Sequence, residues 1–174
     1  MSTVDTTTPV QTSARDQFLD VYDQEHQRTL RVLKAYPKDK ADLKPHPKAK
    51  TARELAWMFV MEQGAMEKAM TTGFDFSKPM QFPPAPPVDE IVKIFEDTHQ
   101  KTAGLVRGLR DDELYRPVQF FVGPGKIGDM PLMHILWMFL HDQIHHRGQF
   151  SVYLRMADGK VPSIYGPSLD EPWQ

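Results

Sequence analysis

The sequence predicts an all-α fold, a four-helix bundle with long proline-rich loops, and two observations carry that reading. Prolines cluster at Pro45/Pro47, Pro83-Pro84-Ala85-Pro86-Pro87 and Pro117/Pro124, leaving proline-free windows at Val10 to Tyr36, Lys48 to Lys78, Val88 to Arg116 and Leu132 to Val161. An interior proline removes a helix hydrogen bond at a cost of ~3 kcal/mol, so helices can run only in such windows. Within each window apolar residues recur at steps of three and four, the period of a helix with one buried face.

The first window opens on Ser13, a suitable N-cap, and spaces Phe18, Val21, Tyr22, Leu30 and Leu33 along one face. The second begins with Thr51-Ala52-Arg53-Glu54, the capping-box pattern. It continues through Leu55, Met58, Phe59, Met66 and Met70 to a stop at Gly73. Asp89-Glu90 starts the third, which carries Ile91, Ile94, Phe95, Leu105 and Leu109 around a polar middle. The fourth is apolar almost all round from Leu132 to Leu140, the mark of a central helix. Asp129 is its expected N-cap with Pro131 in the first turn, and Asp158-Gly159 its expected end. Val118 to Val122 reads as a short extended piece without an evident partner. Residues 1–12 are expected to form a flexible tail and 13–174 one domain.

Composition narrows the function. Lys+Arg number 21 and Asp+Glu 23, a formal net charge of -2, which argues against nucleic acid as a partner. No run approaches the ~18 apolar residues of a membrane span, so no membrane partner is expected and the cytoplasm is the expected location. With no cysteine, thiolate catalysis and cysteine-held metals are excluded; a metal would rest on His and carboxylates.

Chemistry concentrates in His141-Asp142-Gln143-Ile144-His145-His146-Arg147-Gly148-Gln149, which holds three of the seven histidines. Residues four apart share a helix face, so His141/His145 and Asp142/His146 are each able to close on one divalent ion. The two pairs are offset by ~100° around the axis and cannot both face inward. The stripe Ile135, Met138, Asp142, His146, Gln149, Tyr153 favours Asp142 and His146 as the inward pair, while the stripe through Trp137 and His141 competes. A buried Asp needs a partner, and two solutions stay open: a metal, or an Asp–His–Arg network that locks the helices.

The run HDQIHHRGQFSVYLR followed by VPSIYGPS resembles the signature helix and tail of DinB-like proteins, the DinB/YfiT superfamily, with a weaker likeness at TARELAWMFVMEQ. The resemblance implies a four-helix bundle, often a homodimer, holding a divalent metal such as zinc or nickel. One ligand would come from the second helix and a pair four residues apart from the last long helix. It also implies thiol-dependent transferases and isomerases that use low-molecular-weight thiols such as mycothiol or bacillithiol. His146 matches the family's His before Arg-Gly-Gln, and Asp142 stands where the earlier ligand is usually His. The second-helix His is replaced: Leu55-Ala56-Trp57-Met58-Phe59 puts Met58 or its neighbour there, and a thioether is a poor ligand beside hard donors. Glu62, one turn beyond Met58, is an oxygen alternative, and His26 or His99 would have to approach from another helix.

The expected function is therefore a DinB-like divalent-metal-binding protein, and if an enzyme, a thiol-dependent transferase or metal-dependent hydrolase acting on an unidentified small molecule. Asp142 and His146 would hold the metal, and His145 or Glu62 would shuttle protons. The alternative is a member with a degenerate metal site that serves as a small-molecule-binding or dimeric scaffold. Single histidines at 26, 99 and 134 read as structural or surface residues, the methionines as core filler, and Arg147 as a partner for an acid across the bundle.

Overall fold

The computed structural model describes residues 12–79 and 82–173; residues 1–11 of the expected tail lie outside it. Four helices account for about half of the chain: α1 (Ala14–Lys34), α2 (Ala52–Met70), α3 (Val88–Gly108) and α4 (Leu132–Met156). Ser13 caps α1 by accepting from the Asp16 amide, and Thr51 and Glu54 form the reciprocal capping box of α2. Gly73, at φ +73°, donates its amide to the Lys68 carbonyl just past the end of α2.

The fold is mostly helical but not all-α. Strands β1 (Pro117–Gly123) and β2 (Lys126–Pro131) pair as an antiparallel hairpin, Val118 opposite Met130 and Phe120 opposite Gly128. The partner of the extended piece was hidden because β2 lies almost wholly in solvent and so lacks an apolar alternation. Gly125 supplies the positive φ of the turn. Asp129 is consequently not the N-cap of α4. It sits in β2, where the Gln119 side-chain amide donates to it, and α4 starts after Pro131 with no side-chain cap. The far end of α4 closes as expected, with Asp158 at φ 60° and the Gly159 amide bonded to the Leu154 carbonyl.

Helices α1 and α2 each pack against α3 and α4. Two apolar clusters fill the opposite ends of this arrangement. One gathers Phe18, Met66, Val106 and Leu136; the other gathers Leu33, Phe59, Phe95 and Phe150. The start of α1 thus lies with the end of α2, the end of α3 and the start of α4. Helices α2 and α3 therefore run in the same direction, and the proline-rich connection 71–87 returns the chain to the opposite end.

Between the clusters lies a layer of buried polar groups from all four helices: Glu25, His26 and Thr29 on α1, Glu62 and Gln63 on α2, His99 and Thr102 on α3, Gln143 and Arg147 on α4. This layer explains the polar middle of α3. The best satisfied part is Arg147, 2% exposed, whose guanidinium lies 2.6 Å from Glu25 and donates to the Tyr165 hydroxyl; Tyr165 in turn donates to Glu25. Burial raises the Glu25 pKa, but the hydrogen bonds from Tyr165 and Arg147 outweigh it and leave the group below its ordinary value. His26 and His99 stack with ring centroids 3.7 Å apart, and His99 Nε2 meets Asp23 at 2.9 Å.

Because removing one member of a buried pair strands the other charge, Arg147→Met is expected to destabilise the fold by about 3 kcal/mol. The double variant Glu25→Met/Arg147→Met should recover most of that loss, as read from urea unfolding. A pH dependence follows from His26, which burial first, and then the charges of His99 and Lys34, hold down at about 3 instead of 6.5. The unfolded chain takes up a proton that folded His26 refuses. The contribution of His26 to stability is therefore fully present above pH 6.5 and falls as pH drops toward 3, by on the order of 1 kcal/mol per unit. The stability difference between wild type and His26→Phe, measured by urea unfolding from about pH 7 down to 4, should shift in favour of the variant with this slope.

Candidate metal centre

Helices α2 and α4 pack directly, and their contact brings three ligand-bearing side chains together near the polar layer. His146 Nδ1 lies 2.6 Å from Glu62 Oε1 and 4.0 Å from Asp142 Oδ1, and one donor atom from each residue falls within 4.8 Å of the other two. Among the described residues this is the one group of three or more such side chains so placed. The imidazole is oriented by its bond to Glu62 and by Phe59, whose ring meets it edge-on.

The three residues differ in their exposure to water. The Glu62 side chain is 3% exposed, His146 15% and Asp142 49%, so the cluster grades from core to surface. Asp142 was expected to point inward and instead stands at the rim. The buried face of α4 is centred on Leu136, Leu140, Gln143, Arg147 and Phe150, and Asp142 and His146 lie to one side of it, facing α2. The competing pair turns away: His141 and His145 are both exposed, and His145 Nε2 meets the Gln149 amide at 2.8 Å.

Burial raises the Glu62 carboxyl to about 7 against the opposing pull of the His146 hydrogen bond, with Asp142 adding to the rise. The Glu62 bond raises His146 above its ordinary value, burial resisting. Glu62 Oε2 is buried and has no hydrogen-bond partner. An orphaned carboxylate oxygen in a dry site, beside a second carboxylate and an imidazole, is a donor set that fits a divalent cation. Met58 is not part of the cluster; it lines a cavity next door. His26 and His99 also lie apart, their rings tilted against those of Phe95 and Tyr22 respectively. The C-terminal segment covers the other side of α4, where Tyr165 meets Arg147 rather than the histidines.

The DinB family profile matches residues 4–174, nearly the whole chain. The chain belongs to the DinB family. An uncharacterized protein, YrdA of Bacillus subtilis, is 27% identical over 161 residues, 90% of each chain. The fold is similar to a DinB-like protein from Bacillus cereus, with a TM-score of 0.71 at 22% identity over 85% of this chain and 95% of that one. It is also similar to the DinB-like protein YjoA of B. subtilis, with a TM-score of 0.65 at 16% identity over 83% and 94%.

Within this DinB-family chain the α2 residue beside the α4 pair is Glu62. In the sequence Glu62 stands as an oxygen alternative to Met58 and as a proton shuttle, and a lone Glu in an amphipathic helix is more often solvated. The available signal was its position, one residue before Gln63 and three after Phe59 on the buried face. A carboxylate this desolvated opposes folding. Replacing the pair together, Glu62→Leu/His146→Leu, is expected to stabilise the metal-free protein by about 1 kcal/mol while removing two donors. Chemical unfolding in excess chelator would show it, and a fall in stability would contradict it.

Proposed function

We propose that this DinB-family protein binds one divalent metal ion between α2 and α4 through Glu62, Asp142 and His146, and that the loaded site performs thiol-dependent transfer or hydrolysis on a small molecule. The observation that carries this reading is the convergence of one donor from each of three residues on two helices, with the second Glu62 oxygen, Oε2, buried and unpartnered. Zinc and nickel both accept such an oxygen and nitrogen donor set. When bound, the ion would lower the pKa of a thiol or water and so supply a nucleophile near neutral pH.

The chain's own residues have distinct parts in this proposal. Glu62 Oε1 and the ring of His146 face each other across 2.6 Å and share a proton when no ion is held, so uptake releases that proton. Asp142, at the rim, gives the site an open side. His145, exposed and bonded to Gln149, which lines the cavity at His146, is placed to pass protons between solvent and that cavity. Phe59, fully buried and edge-on to the His146 ring, forms the apolar inner side of the pair. The competing reading is a metal-free scaffold, in which the Glu62–His146 bond is the whole purpose of the pair.

Metal analysis of protein purified without a histidine tag separates the two. About one ion per chain is expected, with Glu62→Gln, Asp142→Ala and His146→Ala each weakening affinity by about a hundredfold. A chelator should also lower the melting temperature of the wild type. Sub-stoichiometric metal throughout, with a chelator-insensitive melting temperature, would establish the scaffold.

A further inference from the structure

Two cavities of about 410 Å³ each open beside the α2–α4 contact. One reaches His146, with Leu55, Gln149 and Tyr153 in its wall. The other is lined by Trp57, Met58 and Met61 of α2 and closed by Phe82 to Ala85. Ala49 and Lys50 line both, so the two form neighbouring compartments separated by that short segment. The segment is held in place, since the Tyr153 hydroxyl donates to the Lys50 carbonyl at 3.0 Å. The far wall is held too, by Trp57 Nε1 donating to the Pro83 carbonyl at 3.1 Å.

Lysine outnumbers acid in the walls of these compartments. Lys48 lines one cavity and Lys50 both, whereas the lysines found in ion pairs are Lys34, Lys38, Lys78 and Lys101. The acid in the wall is Glu54, and its carboxylate is already engaged with the Thr51 amide at 2.7 Å in the capping box. That box also satisfies the start of α2, so the helix end is not the attraction for an anion. Lys50 is the lysine that the walls of the two compartments share.

We infer that Lys50, assisted by Lys48, is the specificity group of this site: it holds the oxyanion, carboxylate or phosphate, of an amphipathic small molecule whose apolar body lies on Trp57, Met58 and Met61 and whose reactive end reaches His146. This rests on the metal-site reading for the chemistry but not for the binding. It gives Met58 a purpose as an apolar floor in place of a ligand. A flexible thioether beside an indole suits a molecule with a hydrocarbon or aromatic part. An ammonium flanking an apolar wall selects anions because a neutral or cationic head would leave the lysine unpaired and add a repulsion.

The test is binding, by isothermal titration or ligand-observed NMR, of 4-phenylbutyrate, phenyl phosphate, neutral 4-phenylbutanamide and cationic 4-phenylbutylamine. Wild type, Lys50→Gln and His146→Ala proteins are compared, with metal content measured in each. At least a tenfold preference for an anion over the amide is expected. It should shrink to about twofold in Lys50→Gln and persist in His146→Ala, with the tighter anion naming the oxyanion. No preference in wild type, or one unchanged by Lys50→Gln, overturns the inference. A preference lost in His146→Ala but kept in Lys50→Gln also overturns it, since the anion would then be a metal ligand. Failure of the metal reading is seen separately, as absent metal in the wild type. Because Lys50 is exposed, its replacement leaves the core intact.

Discussion

A carboxylate taken out of water must find a counter-charge, a proton or a cation, and Glu62 sits where that choice is forced. Its side chain is 3% exposed, one oxygen bonds to His146, and the other has no partner. Much of the architecture serves to keep it there. The apolar clusters at the two ends of the helices set the axial register, so that the polar layer, with Glu62 in it, falls at mid-height. A shift of one residue along α2 would turn the carboxylate by ~100° and place it elsewhere on the helix.

The two successive residues His146 and Arg147 divide the work of α4. Arg147 is directed at α1, where Glu25, Thr29 and Tyr165 satisfy it, while His146 is directed at α2, where one partner leaves a proton to be shared. A guanidinium held on several sides permits little rotation of the helix about its axis. The firmly satisfied pair on one face thereby positions the incompletely satisfied pair on the other. The C-terminal segment contributes through Tyr165, and through the Arg31–Glu171 and Arg155–Asp170 ion pairs that tie it to α1 and α4. Exposed pairs of this kind add little energy individually, so their role here is geometric.

The parts of this design written in short-range pattern were legible in the sequence. Ser13 and the Thr51/Glu54 box announce their helix starts because capping is a matter of three or four adjacent residues. The spacing of Asp142 and His146 likewise declares a shared face. Other parts depend on distant packing. The β2 strand carries no apolar alternation, so its pairing with Phe120 was invisible and Asp129 was taken for a cap. Glu62 and Gln63 resemble ordinary surface residues until α3 and α4 cover them. His26 and His99, 73 positions apart by their numbers, stack only because α1 packs on α3. A single helix pattern shows which face is buried but not which polar residues on that face will meet.

Burying so many polar groups is costly, and the distribution of unsatisfied atoms shows where the cost is concentrated. Tyr22, His26, Gln63, His99, Thr102 and Gln143 all have buried polar atoms without hydrogen-bond partners, alongside Glu62. A core selected for stability alone would carry leucine or phenylalanine at several of these positions, since apolar replacements of similar shape are neutral or stabilising. The orphans form a band across the helices at the height of the candidate metal centre. Polar groups at that height carry dipoles that can reorient when a nearby charge changes, a property that close-packed hydrocarbon lacks. A polar mid-layer between two apolar ends therefore gives a rigid frame around an electrostatically adaptable centre.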